Sequence, residues 1–143
     1  MRLHLFNGLI ALFGGLFVSS TLFIVFYLIG EFKNPFPVNL LGKFLYFLIF
    51  VSVIEEGVKF LMIKRAVGQY PYGFLLGFGF GIGETCLKYP FWNVEVGIYY
   101  RSGAIVLHIF TAFIISYFVY KKKPIIGLLI AMILHTGFNL FLT

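Results

Sequence analysis

Five ionisable residues, all able to transfer protons or bind a metal ion, lie inside long apolar stretches of the sequence. Three are glutamates in a chain with 5 acidic residues, and two are histidines in a chain with 3. An ionised side chain at the bilayer centre costs about 2.5–3.5 kcal/mol on insertion scales, so such residues persist where they meet one another or a substrate. We therefore interpret them as one buried functional site: Glu55, Glu56, Glu84, His108 and His135.

The two adjacent glutamates carry the clearest chemical signal. Neighbouring side chains on a helix point about 100° apart, so Glu55 can face a site while Glu56 supports it from the side. Lys59 follows at the spacing of helical ion pairs and is the expected counter-ion of one carboxylate. A structural ion pair between helices would need only one glutamate, so the second glutamate favours a functional role.

Another polar face lies near the end of the chain. His135 and Asn139 are spaced i, i+4 and point to the same side of a helix. Two hydrogen-bond donors there suit the oxyanion of a tetrahedral intermediate, and a polar clasp between helices is the alternative. His108 is as consistent with a hydrogen bond between helices as with a role in the site. Arg101 is explained by a side chain that reaches the membrane interface, with a supporting role at the site as the alternative.

The rest of the chain consists mainly of apolar segments that must position these residues. It is 61% hydrophobic and 11% charged, whereas soluble domains carry about 25% charged residues. A membrane span needs about 20 apolar residues. The sequence therefore predicts an all-α fold, a polytopic membrane helix bundle of about five transmembrane helices in a single domain, 1–143. The five predicted spans are 5–29, 40–63, 72–88, 102–120 and 124–142.

Basic residues at the segment ends predict the orientation of the bundle. If the N-terminus is cytoplasmic, the inner side holds Arg2, Lys64, Arg65, Lys121, Lys122 and Lys123, and the outer side holds Lys33, Lys43, Lys88 and Arg101. This excess favours an N-in, C-out protein of the cytoplasmic membrane. The distribution of the net charge of +6 indicates contact with the lipid bilayer and no nucleic-acid partner. The sequence leaves the oligomeric state open.

The position of each polar residue along its helix predicts that the helices bring these residues together. At about 1.5 Å per residue, Glu55 lies roughly 14 Å from the end of its segment. By the same arithmetic, Glu84 and His108 lie roughly 18 Å, and His135 roughly 17 Å, from one end of theirs. All four groups are therefore expected in one layer near the middle of the membrane.

Glycines in the 72–88 segment indicate two close helix contacts. Three of them share one face at a spacing of four residues, and two more form another small-xxx-small pair. The two sets are Gly73, Gly77 and Gly81, and Gly79 with Gly83. Close approach of neighbouring helices would also bring Glu84 within reach of groups on those helices.

Four short motifs, in this order and each on its own helix, resemble the PrsW family. They are EEGVK at 55–59, GFGIGE at 79–84, HIFTAF at 108–113 and HTGFN at 135–139. That family comprises glutamic-type intramembrane proteases within the CAAX prenyl endopeptidase and bacteriocin-processing (CPBP) superfamily. The resemblance covers about residues 52–140 and leaves the first helix and linker, 1–39, outside it.

The resemblance implies a four-helix catalytic-type core, 40–142, around a polar cavity. By position, it implies that Glu55 is the general base with Glu56 as its support. The oxyanion donors would be His135 and Asn139, and the partner of the base would be Glu84 or His108. Lys59 stands one position before the arginine of the prenyl endopeptidases, as in the PrsW pattern, so CAAX processing is not implied.

Three functions follow as hypotheses. The favoured one is an intramembrane endopeptidase, without a cofactor, that cleaves a membrane protein or a lipid-anchored peptide. The first alternative is a zinc-dependent membrane protease, although the chain has no HExxH sequence; its ligands would be Glu55, Glu84, His108 and His135. The second alternative is a non-catalytic scaffold or transporter with a polar site at the membrane midplane.

Overall fold

Every element in the described part of the chain is helical. A computed structural model describes residues 2–28, 39–67, 71–88 and 94–141. Four long helices are α1 (Arg2–Leu28), α4 (Tyr72–Lys88), α5 (Val94–Tyr120) and α6 (Pro124–Phe141). Between α1 and α4, four elements follow one another directly: α2 (Leu40–Tyr46), the π-helical π1 (Phe47–Ser52), α3 (Val53–Met62) and the π-helical π2 (Ile63–Val67). The all-α prediction is confirmed for these residues.

Among the residues that the structure describes, three helices are long and apolar enough to cross a membrane. These spans are Phe6–Val25, Tyr100–Tyr120 and Pro124–Phe141. The apolar helix α4 is shorter, at 17 residues. The predicted span 40–63 differs from a simple helix, because π1 and π2 interrupt its α-helical geometry and helical structure continues to Val67. Helix α5 begins at Val94 rather than at 102, so Arg101 lies within the helix and not at its start.

Helix α4 lies between α1 and α5 because its glycines allow close contact on two sides. A methyl group at Gly81 would lie 2.7 Å from Cα of Ile105 in α5. A methyl group at Gly79 would overlap the carbonyl oxygen of Leu12 in α1. The two predicted glycine faces are therefore confirmed, one against α5 and one against α1. Any larger residue at these positions would separate the helices.

A tight turn joins α5 to α6 and makes them antiparallel neighbours. The Lys123 amide donates to the carbonyl of Phe118 at 2.9 Å, and the Lys122 amide donates to the carbonyl of Val119 at 3.1 Å. Lys122 adopts a positive φ of 57°. These bonds form a Schellman motif, and Pro124 then begins α6 with a preset backbone angle. The turn fixes the height of α6 relative to α5.

An apolar layer lies beside the predicted polar residues and is formed by side chains of α1, π2, α4, α5 and α6. Three of its members lie four positions from a predicted polar residue: Ile63 from Lys59, Ala112 from His108, and Ala131 from His135. The layer consists of Ala11, Ile63, Tyr72, Leu76, Ala112, Ile115 and Ala131. It excludes water from that side and so sets the polar residues at the edge of a dry, packed region.

Candidate functional site

Helix α3 presents a buried lysine at the centre of the predicted site. The ammonium nitrogen Nζ of Lys59 lies 2.6 Å from Glu56 Oε1, 2.7 Å from His108 Nδ1 and 3.1 Å from Thr111 Oγ1. The relative exposure of its side chain is 0%. A lysine ammonium has three N–H donors and no acceptor, so these three acceptors satisfy all of its hydrogen-bonding capacity. The lysine thus links α3 to α5.

The contacts of His108 define which ring nitrogen carries its proton. Since Lys59 only donates, His108 Nδ1 must accept, and the proton of a neutral ring then lies on Nε2. His108 Nε2 contacts Glu84 Oε2. The ring therefore donates to the Glu84 carboxylate and accepts from the lysine. Glu84 on α4 is joined to α3 through this histidine.

His135 on α6 lies between the two adjacent glutamates. Its Nδ1 is 2.6 Å from Glu56 Oε1, and its Nε2 is 3.7 Å from Glu55 Oε2. One oxygen of Glu56 thus contacts both Lys59 and His135, whereas its other oxygen, Oε2, is buried and accepts no hydrogen bond from a described residue. Glu56 thus joins α3 to α6 directly, and Lys59 extends the connection to α5.

The two glutamates differ in their exposure to solvent or lipid. The side chains of Glu56 and Lys59 are 0% exposed, whereas that of Glu55 is 10% exposed. Glu84 is half-buried, with 15% of its side chain exposed. Glu55 and Glu84 are therefore the less buried carboxylates of the cluster, which consists of Glu55, Glu56, Lys59, Glu84, His108 and His135.

A hydroxyl pair next to the cluster was not predicted from the sequence. Thr136 Oγ1 donates to Ser52 Oγ at 2.9 Å, and both residues are buried. Ser52 ends π1 one helical turn before Glu56, and Thr136 follows His135 directly. The signal available in the sequence was that Ser52 precedes Glu56 by four residues, which puts both on the same side of a helix. The pair fixes the register of α3 against α6 and so the position of His135 between the glutamates.

Phe80 covers the centre of the cluster with its ring. Lys59 Nζ lies 4.7 Å from the ring centroid, and the His108 ring lies 5.1 Å from it. A cation at that distance from an aromatic face is attracted by the ring quadrupole. This residue belongs to the predicted glycine-rich motif, but its contact with the lysine was not predicted.

The structure brings together most of the predicted site residues. Lys59 pairs with Glu56 at i+3 and not with Glu55 at i+4. His108, one of the two predicted partners of Glu55, contacts Glu84 and Lys59, and one of its ring nitrogens lies within 4.8 Å of a Glu55 oxygen. The convergence of four helices on one layer is confirmed.

The other two predicted members, Asn139 and Arg101, lie further along their helices. Asn139, half-buried on α6, makes no side-chain hydrogen bond to another residue in the described ranges. Arg101, half-buried on α5, lies about 10 Å along the helix from His108 at 1.5 Å per residue. The His–Asn oxyanion pair therefore stays a prediction, because His135 turns its ring toward the glutamates.

In the described ranges, three residues offer donor atoms that lie close to one another and could bind a metal ion. Donor atoms of Glu55, His108 and His135 lie within 4.8 Å of one another. Zinc bonds to nitrogen are about 2.0–2.1 Å, so tetrahedral donors sit about 3.4 Å apart and the set would have to contract. Both ring nitrogens of His108 are already in contact, one with Lys59 and one with Glu84. The set fits zinc only if His108 loses one of these contacts.

The cluster thus combines a partly exposed carboxylate, two imidazoles and a buried carboxylate–ammonium pair. Such a set can accept and donate protons in a region of low dielectric constant. Comparison of the chain with protein-family models, with curated proteins and with solved structures gives no match.

Proposed function

We propose that the protein is an intramembrane endopeptidase in which Glu55 activates a water molecule. The observation that carries this proposal is the unequal use of the two adjacent glutamates. Glu56 is fully buried and contacts both Lys59 and His135, whereas its neighbour Glu55 keeps 10% exposure and faces His135 Nε2 at 3.7 Å. Glu55 is therefore the less buried of the two carboxylates, and it lies across a short gap from an imidazole nitrogen.

We place the attacking water molecule beside the Glu55 carboxylate and next to His135, not on the line between them. The 3.7 Å between Glu55 Oε2 and His135 Nε2 is too short for a water molecule in line, and Oε2 is buried. If His135 donates through Nδ1 to Glu56, its Nε2 is an acceptor, and Glu55 Oε2 is also an acceptor. A water molecule that reaches both atoms from the less buried side of Glu55, after a small movement of that side chain, can direct one O–H to each of them. Its oxygen lone pair then remains available to a carbonyl carbon.

Hydrolysis at this position follows ordinary general-base chemistry. Glu55 takes a proton from the water while the water oxygen bonds to the carbonyl carbon of the substrate. The C–N bond then breaks, and the proton on Glu55 passes to the leaving amine. Asn139, one turn beyond His135, is the proposed donor to the oxyanion. In this proposal His135 orients the water, and Asn139 alone has the oxyanion role that the sequence predicted for both residues.

The substrate is proposed to be a membrane protein or a lipid-anchored peptide. This is supported by three of the described helices, which are long and apolar enough to cross a bilayer. Helices α3 and α5 run in parallel, because Lys59 contacts Thr111 and Ile63 packs near Ile115. Exposed basic residues follow the C-terminal ends of both helices: Lys64 and Arg65 after α3, and Lys121–Lys123 after α5. We place this end in the cytoplasm, with the N-terminus inside and five spans.

A zinc-dependent protease is the second candidate, because donor atoms of Glu55, His108 and His135 converge within 4.8 Å. In that mechanism, zinc would lower the pKa of the attacking water in place of the carboxylate. Stoichiometric zinc in the purified protein, together with loss of activity on chelation, would favour this candidate over the first.

Protein N-termini in cells test the proposal directly. Cells that express the wild type are compared with cells that express Glu55→Gln at the same level, and Lys64→Met serves as a control remote from the site. New N-termini close to membrane segments should be present with the wild type and the control and absent with Glu55→Gln. Identical profiles from folded proteins would instead support a scaffold or a transporter.

A further inference from the structure

The three hydrogen-bond acceptors around the Lys59 ammonium group are of the chemical types that also bind divalent metal ions. They are a carboxylate oxygen of Glu56 at 2.6 Å, an imidazole nitrogen of His108 at 2.7 Å and a hydroxyl oxygen of Thr111 at 3.1 Å. Imidazole and carboxylate ligands suit zinc and related transition metals. The lysine nitrogen therefore stands among donors that could hold a metal ion.

His108 also has the surroundings of a metal ligand on its far side. Histidines that bind a metal through one nitrogen commonly donate the other N–H to a carboxylate, which fixes the ring and raises its basicity. His108 makes this contact through Nε2 with Glu84 Oε2. His108 differs from such a metal-bound histidine on its Nδ1 side, where the Lys59 ammonium group stands in the position of the metal ion.

We infer that Lys59 is the resident cation of this cluster, holding His108 neutral with its proton on Nε2 and keeping divalent metals out. Metal binding would require the Nδ1 lone pair, which the lysine already uses. A metal at Nδ1 would also stand within a few ångströms of the ammonium, where two cations repel strongly in a low-dielectric interior.

The ammonium group cannot easily move aside to admit a metal. Its side chain has 0% exposure, and the Phe80 ring lies 4.7 Å from the nitrogen. One turn after Lys59, at the start of π2, Ile63 is 1% exposed and packed in the apolar layer. A displaced ammonium would therefore enter an apolar region and lose all three acceptors. The inference concerns the cation and does not depend on whether the protein is a protease.

The first test uses the wild-type protein. Nitrogen NMR of ¹⁵N-histidine-labelled protein in lipid bicelles distinguishes protonated from unprotonated ring nitrogens, and His108→Gln identifies the His108 signals by their loss. We expect His108 to show a protonated Nε2 and an unprotonated Nδ1. A proton on Nδ1 would overturn the inference, because that nitrogen could then not accept from the lysine.

The second test measures the zinc content of three purified proteins: the wild type, the Lys59→Arg variant and the Lys59→Met variant. Each is first incubated with micromolar zinc and then passed through gel filtration. The wild type and the arginine variant keep a cation and should hold no zinc. Lys59→Met should bind about one zinc per chain, and the added His108→Gln change should abolish that binding.

Two results of the metal measurement would overturn the inference. One is a zinc ion in the wild type that His108→Gln removes, since the lysine would then not exclude metal. The other is a monodisperse, folded Lys59→Met protein that binds none. The NMR test needs no lysine variant, so the inference remains falsifiable if Lys59→Met does not fold.

Discussion

The Glu56–Lys59 pair should show strong energetic coupling in a double-mutant cycle. The two side chains are both 0% exposed and meet at 2.6 Å. Removing one partner of a buried ion pair is expected to lower the free energy of unfolding by about 3–5 kcal/mol, because the remaining charge is left uncompensated. Glu56→Gln leaves the ammonium without its carboxylate, and Lys59→Met leaves the carboxylate without its ammonium.

The double variant should be far more stable than the sum of the single changes implies. With about 4 kcal/mol for each single change, additivity would give about 8 kcal/mol. Since the double variant contains neither buried charge, we expect it to lose about 5 kcal/mol, which corresponds to a coupling energy of about 3 kcal/mol. His108 Nδ1 still loses its donor in the double variant, so the protein should not recover wild-type stability.

The assay is reversible unfolding of the purified proteins in lipid bicelles by steric trapping, which measures the free energy of unfolding for all four members of the cycle. A control cycle combines Glu56→Gln with Lys64→Met, a change at an exposed lysine. Distant changes should be additive within about 0.5 kcal/mol. Additive losses in the Glu56–Lys59 cycle, or single losses below 1 kcal/mol, would refute the buried pair.

Two further predictions test the packing that positions the cluster. Gly79→Ala places a methyl group against the Leu12 carbonyl oxygen and should lower the free energy of unfolding by at least about 1–3 kcal/mol. Gly57→Ala, whose methyl group meets nothing within 4 Å, is the matched control and should leave stability unchanged or raised by up to about 1 kcal/mol. Thr136→Val removes the donor to Ser52 and should cost about 0.6–1.7 kcal/mol in the same unfolding assay, whereas Thr136→Ser should not. Equal stabilities within either matched pair would contradict the corresponding contact.

The sequence predicted the helical class and the common layer of the polar residues because both follow from one-dimensional patterns. Apolar length indicates the spans, and position along a helix gives the height of Glu55, Glu84, His108 and His135. The glycine spacing likewise indicated which faces of α4 would approach their neighbours. None of these inferences needs the rotation of one helix relative to another.

The hydrogen-bond partners could not be predicted because they depend on that rotation. Lys59 is compatible in sequence with either glutamate, and packing against His108 and Thr111 selects Glu56. The π-helical turn of π1 shifts the phase of the side chains just before the two glutamates, and hydropathy does not reveal it. The Ser52–Thr136 bond depends on the same register.

The rate of peptide cleavage tests the role of Glu55 most directly. Purified protein in liposomes would be given a substrate segment identified from the new N-termini in cells, with and without a strong zinc chelator. The wild type should cleave at the same rate in both conditions, and Glu55→Gln should be slower by about 10²–10⁴-fold, as expected on loss of a general base. Substantial cleavage by Glu55→Gln, or loss of wild-type cleavage on chelation, would contradict a water molecule activated by this carboxylate without a metal.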